Sequence, residues 1–204
     1  MPVDELAIPG AHNVSNALAA VSVALLLGVA PDAIRRAAAG FSGVEHRLET
    51  VAVAGGVRYV NDSQGTQPDA VIAALRAFPA PVVLIAGGRD KGVDLSDLAV
   101  VVAERASAAV LIGESAEALA GLFAGAGLAR IERAATLDAA VATATAIARK
   151  ALADAPAEGG GAAERLATVL LSPAAASFDM FVDYEARGRA FRVAVRRLIA
   201  ARAG

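Results

Sequence analysis

The sequence predicts an α/β fold: a mainly parallel sheet flanked by helices. Three observations carry that reading. Short, uninterrupted apolar runs at 81–86, 109–112 and 166–171 have the character of strands buried on both faces. Segments with helical spacing alternate with them, the grammar of a layered α/β domain. Loops rich in Gly, Asp, Ser and Asn follow three of the strands, where ligands sit in such sheets.

The elements follow in order. Val14, Leu18, Val21 and Leu25 form one apolar stripe of a first helix, which ends near Gly28. Pro31-Asp32 opens a second helix that runs to Gly40. Neither has strands beside it to cover it, so this segment is expected to expose an apolar face. From Arg47 the pattern changes. Leu48 to Val53 and Val57 to Val60 read as two strands of a hairpin about Gly55-Gly56. Pro68 to Phe78 reads as a helix, Pro81 to Ala86 as a strand and Leu95 to Arg105 as a helix. Ala109 to Ile112, Glu114 to Phe123, Ala129 to Glu132 and Leu137 to Leu152 continue as strand, helix, short strand and long helix. Ala155 to Ala163 is a Gly/Pro/Ala loop, Leu166 to Leu171 a last strand, and the tail from Asp179 a helix with Phe191, Val195 and Leu198 on one face.

Composition bounds the function. The chain has 204 residues, 56% of them hydrophobic and 20% charged, which excludes a disordered chain. No stretch is apolar enough, for long enough, to read as a membrane span, and no signal peptide is apparent. The absence of Cys excludes disulfides and thiolate metal sites and fits a cytoplasmic location. A net charge of −2 gives no reason to expect nucleic acid or an anionic membrane as partner.

The scarce polar residues are concentrated. Every His, Asn and Gln falls within Gly10–Asn16, Gly43–Glu49 or Asn61–Gln67, and one of the two lysines lies in Ala86–Gly92. The loops after Asn61, Gly87 and Ser172 all belong on one edge of the predicted sheet. That edge should carry Asp62, Thr66, Lys91 and Ser177. Lys91, a lone cation among glycines, suits a carboxylate or phosphate. Asp62 suits a ribose hydroxyl pair or simply caps a turn. The Ser177 segment, opening the last helix, either offers N–H groups to an anion or caps that helix. Arg47 beside His46 could reach a phosphate or lie in a solvated linker. No phosphate loop of the GK[ST] kind occurs, and no metal-ligand cluster or nucleophile elbow stands out.

These segments resemble the Mur ligases, the ATP-dependent amide ligases of peptidoglycan synthesis. Gly10-Ala-His-Asn-Val-Ser-Asn-Ala-Leu-Ala-Ala20 is similar to the family's G-x-H-N-x-x-N-A-x-A-A helix start. Val44–Glu49 resembles its P-H-R-x-E linker, with Glu45 in the Pro place. Val60–Thr66 resembles the N-D-S-K-A-T loop, with Gln64 for Lys and Gly65 for Ala. Leu171–Phe181 resembles the S-P-A-x-A-S-x-D-x-F segment of the D-glutamate-adding branch. Together these motifs reach from residue 10 to about 190.

The resemblance implies a Rossmann-like sheet over 43–204, the C-terminal domain, preceded by residues 1–42 as the helical tail of a central ATP-binding domain. It implies that Asn13, Asn16, His46, Arg47 and Asp62 face ATP. Thr66, Lys91, Ser177, Phe178 and Tyr184 would hold D-glutamate, and Arg47 and Lys91 would be the catalytic pair. It implies Mg²⁺, with ligands outside this chain, and UDP-N-acetylmuramoyl-L-alanine as the other substrate. It implies that the family's N-terminal domain and most of its central domain, including the phosphate loop, lie outside this chain, which is then expected to be inactive alone. A non-catalytic amino-acid- or nucleotide-binding module, needing a partner that carries the phosphate loop, is the other expectation.

Overall fold

The computed structural model describes residues 2–8, 10–154 and 165–203. Six strands form one sheet in the order β1-β2-β6-β3-β4-β5. Strand β1 (Glu49–Ala54) pairs antiparallel with β2 (Val57–Asn61), and every other neighbour pair is parallel. The remaining strands are β3 (Val82–Gly87), β4 (Ala108–Ile112), β5 (Ile131–Arg133) and β6 (Ala167–Leu171). The hairpin turns at Gly55 and Gly56, both with positive φ, a conformation that favours glycine.

Strands β3, β4 and β6 are buried along their whole length. Alternate residues serve two cores. Val60, Leu84, Leu111 and Leu170 pack under α3 (Pro68–Arg76), α4 (Ser96–Arg105) and α5 (Ala116–Gly125). Tyr59, Ile85, Val110 and Val169 pack under α6 (Leu137–Asp154) and α7 (Tyr184–Ala203). Removing each such side chain from water contributes about 1.5–3 kcal/mol, which is why these strands are unbroken apolar runs in the sequence.

Strand β6 enters between β2 and β3 after the chain has passed through β4 and β5. Its register sets the ends of β2 and β6 level, Asn61 beside Leu171, while β3 passes Leu171 at Ile85 and runs on to Gly87. The backbone hydrogen bonds then continue into the loops. The Asp62 N–H donates to the Leu171 carbonyl at 2.8 Å, and the Gly87 N–H to the Pro173 carbonyl at 2.9 Å. Arg89 and Ala176 exchange N–H···O bonds at 2.9 and 3.2 Å.

Two expectations need comment. The final helix starts at Tyr184, not at Asp179. Residues 178–183 instead form turns closed on the Ser177 carbonyl, which accepts from the Met180 and Phe181 N–H groups. The side chain that caps the helix is Asp183, accepting from the Ala186 N–H at 2.5 Å. The expected loop Ala155 to Ala163 lies outside the described residues.

Helices α1 (Ala11–Leu26) and α2 (Pro31–Gly40) stand apart from the sheet. As the sequence suggests, they leave apolar side chains exposed, among them Leu18, Val23, Leu25 and Leu26. A groove of about 830 Å³ opens between them, lined by Ala20, Val21, Ile34 and Phe41 and reaching Asn13, Asn16 and Arg47. Among the described residues no helix is long and apolar enough to cross a membrane.

Gly87 marks where the strand end cannot accept a side chain. Its φ is +110°, and a Cβ there would lie 2.1 Å from the Ile112 carbonyl oxygen of the next strand. Backbone on both sides prevents relaxation, so Gly87→Ala should cost about 3 kcal/mol or more. Urea unfolding of the two proteins measures it, and equal midpoints would contradict this account of the strand end.

Candidate functional site

The site lies on the sheet edge where β2, β6 and β3 end. Asp62 is the buried acid at its centre, 4% exposed. One carboxylate oxygen accepts from the Leu48 N–H at 3.2 Å, the other from the Ser172 hydroxyl at 2.6 Å. Burial pushes its pKa up to about 6 against the pull of Ser172, Leu48 and the Arg47 charge. Gly65 lets the loop fold back over it: a Cβ there would meet the carboxylate at 2.2 Å.

His46 sits beneath this loop, 3% exposed and at φ +64°. Asn61 turns its amide oxygen to the Ser63 N–H, so its NH₂ donates to His46 Nδ1 at 2.9 Å. The ring meets Tyr184 edge-on, with centroids 6.4 Å apart. Its backbone does two further things. The His46 carbonyl accepts from the Gln64 N–H at 3.0 Å. The His46 N–H donates to Glu49 at 3.0 Å, and Glu49 in turn pairs with Arg192 at 2.8 Å. Burial works against Glu49 ionising, but Arg192 and this N–H outweigh it and hold its carboxyl below the usual range. His46 is therefore packed into the protein and does not lie in a solvated linker.

Arg47, in contrast, is exposed. It lines both the helical groove and a second cavity of about 390 Å³, which also takes in Asn16, Asp62, Gln64 and Gly65. Asn16 donates to Asn13 at 3.3 Å. Four of the five residues expected to face a nucleotide, Asn13, Asn16, Arg47 and Asp62, thus line two adjoining cavities, while the His46 ring points into the protein.

The other set gathers a short way along the same edge. Lys91, half-buried, donates its ammonium to the Thr66 carbonyl. Burial and the neighbouring Arg187 charge lower its pKa. Ser177 is buried in the adjoining loop, with Phe178 63% exposed beside it and Tyr184 half-buried at the start of α7. The Ser177 backbone opens a turn, and the helix begins at Tyr184. Among the described residues no group of three His, Asp or Glu could hold a metal ion.

One buried residue of this edge has no place in the sequence reading. Arg187, 1% exposed, spans Ser63 and Ala175 with its guanidinium. The available signal was helical spacing: it lies four residues before Phe191, on the apolar stripe of a helix whose Arg189, Arg196, Arg197 and Arg202 face outward.

The fold and this edge define an α/β domain with a half-buried lysine beside a cavity lined by arginine and a buried acid. Residues 46–155 match the family model described as Mur ligase, glutamate ligase domain. The chain belongs to that family. It is 45% identical over 201 residues to a UDP-N-acetylmuramoylalanine–D-glutamate ligase of Chlorobaculum tepidum, covering 97% of this chain and 40% of the relative. The protein of the same name from Symbiobacterium thermophilum is 43% identical, over 96% of this chain and 40% of its own length. The chain thus spans about two-fifths of the curated relatives it matches. Among solved structures, Mycobacterium tuberculosis folylpolyglutamate synthase aligns with a TM-score of 0.67 at 23% identity, over 91% of this chain and 41% of that one. UDP-N-acetylmuramate-alanine ligase of Thermotoga maritima aligns with a TM-score of 0.63 at 18% identity, over 96% and 40%. These two show the shared fold.

Asp62 has a testable signature. Its native pKa of about 6 lies above its ordinary value of 3.8, so between those values the folded protein keeps a proton that the unfolded chain has lost. Its contribution to stability therefore falls as pH rises from about 4 to 6, by about 3 kcal/mol in all. Asp62→Asn removes the ionisation. Unfolding measured across pH 4–7 should show wild type losing stability relative to the variant over that window, and a pH-independent difference would contradict the assignment.

Proposed function

We propose that this chain is the D-glutamate-binding and ATP-closing part of a cytoplasmic ligase that joins D-glutamate to UDP-N-acetylmuramoyl-L-alanine. The observation that carries the reading is the meeting on one edge of Lys91, held to Thr66 beside the Ser177 loop, with a cavity lined by Arg47 and Asp62. The names of the relatives support it. On this reading residues 1–42 are the helical tail of a central ATP-binding domain and 43–204 are the C-terminal domain.

The reaction runs in two steps. A carboxylate oxygen of UDP-N-acetylmuramoyl-L-alanine attacks the terminal phosphorus of ATP, giving an acyl phosphate and ADP. The D-glutamate amine then attacks the acyl carbon, phosphate leaves, the nitrogen loses a proton, and an amide forms. The work for this chain is positioning and charge stabilisation. Lys91, Thr66, Ser177 and the backbone of Phe178 and Tyr184 hold the D-glutamate carboxylates so that the amine points at the acyl carbon. Arg47 offsets phosphate charge, Asp62 takes the ribose, and Asn13 and Asn16 lie toward the adenine. His46 acts on the nucleotide through Arg47 and Gln64, which its backbone holds. When bound, Mg²⁺ would neutralise phosphate charge; the resemblance expects its ligands outside this chain. With no phosphate loop in the chain, turnover requires the domains that complete the relatives' length.

Lys91→Ala, made in the full-length ligase, tests the reading. Loss of a charge-assisted contact to a carboxylate should raise the KM for D-glutamate about 10- to 100-fold, with the KM for ATP nearly unchanged. Steady-state phosphate release measures both, and a D-glutamate KM equal to wild type would contradict the assignment.

A further inference from the structure

Arg187 is the largest fully buried side chain among the described residues. Burying a guanidinium is costly, and an apolar side chain of similar volume would fill the same space without that penalty. No carboxylate pairs with it among the described ion pairs. Its partners are neutral oxygens. Nε donates to the Ser63 hydroxyl and Nη2 to the Ser63 carbonyl, both at 3.0 Å. Nη1 and Nη2 both donate to the Ala175 carbonyl at 3.2 Å. The Ser63 hydroxyl can accept because its own proton goes to the Tyr184 carbonyl at 2.7 Å. The same guanidinium lies under Gly88, where a Cβ would come within 3.2 Å of Nη1.

One side chain therefore touches the loops after β2, β3 and β6, which carry Thr66, Lys91 and Ser177. It also leaves a positive charge beneath them. Burial lowers its pKa to about 10, only partly offset by the Asp179 charge, and the Lys91 ammonium is lowered in part by Arg187. Two cations thus lie at one edge, one half-buried and one fully buried, and the Asp179 charge acts on Arg187. A carboxylate ligand at that edge would relieve their repulsion.

We propose that Arg187 is a positioning residue for the acidic amino acid. Its planar fork sets the spacing of the three loops, and its buried charge makes the edge prefer a ligand with two carboxylates. The proposal rests on the D-glutamate reading above and deepens it. Lysine would keep the charge but could not span Ser63 and Ala175 at once. Methionine would keep much of the volume and lose both functions.

The test uses the full-length ligase with Arg187→Met and Arg187→Lys, comparing KM for D-glutamate, ATP and UDP-N-acetylmuramoyl-L-alanine, with folding followed by thermal unfolding. Arg187→Met should raise the D-glutamate KM by about 30-fold or more, with the other two within about threefold. Arg187→Lys should recover roughly half of that loss on a logarithmic scale. A residue that serves only to stabilise the fold would move all three KM values together and give no rescue by Lys. Either that pattern, or a folded Arg187→Met with a wild-type D-glutamate KM, overturns the proposal. Should Arg187→Met fail to fold, Arg187→Lys decides alone: a D-glutamate-selective rise in KM supports the proposal and an unchanged KM overturns it. A wild-type enzyme that does not use D-glutamate overturns the ligase reading itself, and this proposal with it.

Discussion

The neighbouring ends of β2, β6 and β3 are the constraint from which the rest of the site follows. Three parallel strands stopping within two residues of one another leave backbone donors and acceptors that must be met at once. The chain meets them by running the loops across one another: Asp62 bonds to Leu171, Gly87 to Pro173, and Arg89 to Ala176. Such an arrangement has no room for side chains at Gly65 and Gly87, where a Cβ would meet Asp62 or Ile112. The rigidity that results lets residues far apart in sequence share one edge.

Two buried ionisable groups of opposite sign sit within this scaffold and act differently. Asp62 is tied by a hydroxyl and an N–H, and its burial makes its charge costly near neutral pH. Arg187 is tied to neutral oxygens and keeps its charge, because guanidinium remains protonated even when lowered to about 10. The edge thus has a carboxylate facing the Arg47 cavity and a buried cation beneath the Lys91 loop. On the proposed function, that asymmetry separates the nucleotide side from the side that takes carboxylates.

The sequence was most legible where burial is total. Strands β3, β4 and β6 are apolar throughout because both faces are covered, and no other element type fits runs so short. The prediction that the three polar loops converge also held, since it needs only parallel strands and not their order. The insertion of β6 between β2 and β3 could not be read, because order depends on long-range packing. The start of the last helix was misplaced: Ser177-Phe-Asp carries capping residues, but Ser177 closes a separate turn, and Asp183 caps the helix. His46 was singled out in the sequence as a residue facing ATP, but its burial, like that of Arg187, was not legible, for the same reason. Side chains that are usually exposed are here buried by contacts more than ten residues distant, His46 with Asn61 and Arg187 with Ser63.

The central claim is that one edge holds an acidic amino acid at Lys91, Thr66 and Ser177 and a nucleotide at Arg47 and Asp62. A crystal structure of the full-length protein with D-glutamate and a non-hydrolysable ATP analogue tests it most directly. The account predicts a D-glutamate carboxylate on Lys91 with the amine directed toward the Arg47 side, and the ribose beside Asp62. D-glutamate bound away from the Lys91 and Ser177 loops, or the nucleotide seated between them, would contradict it.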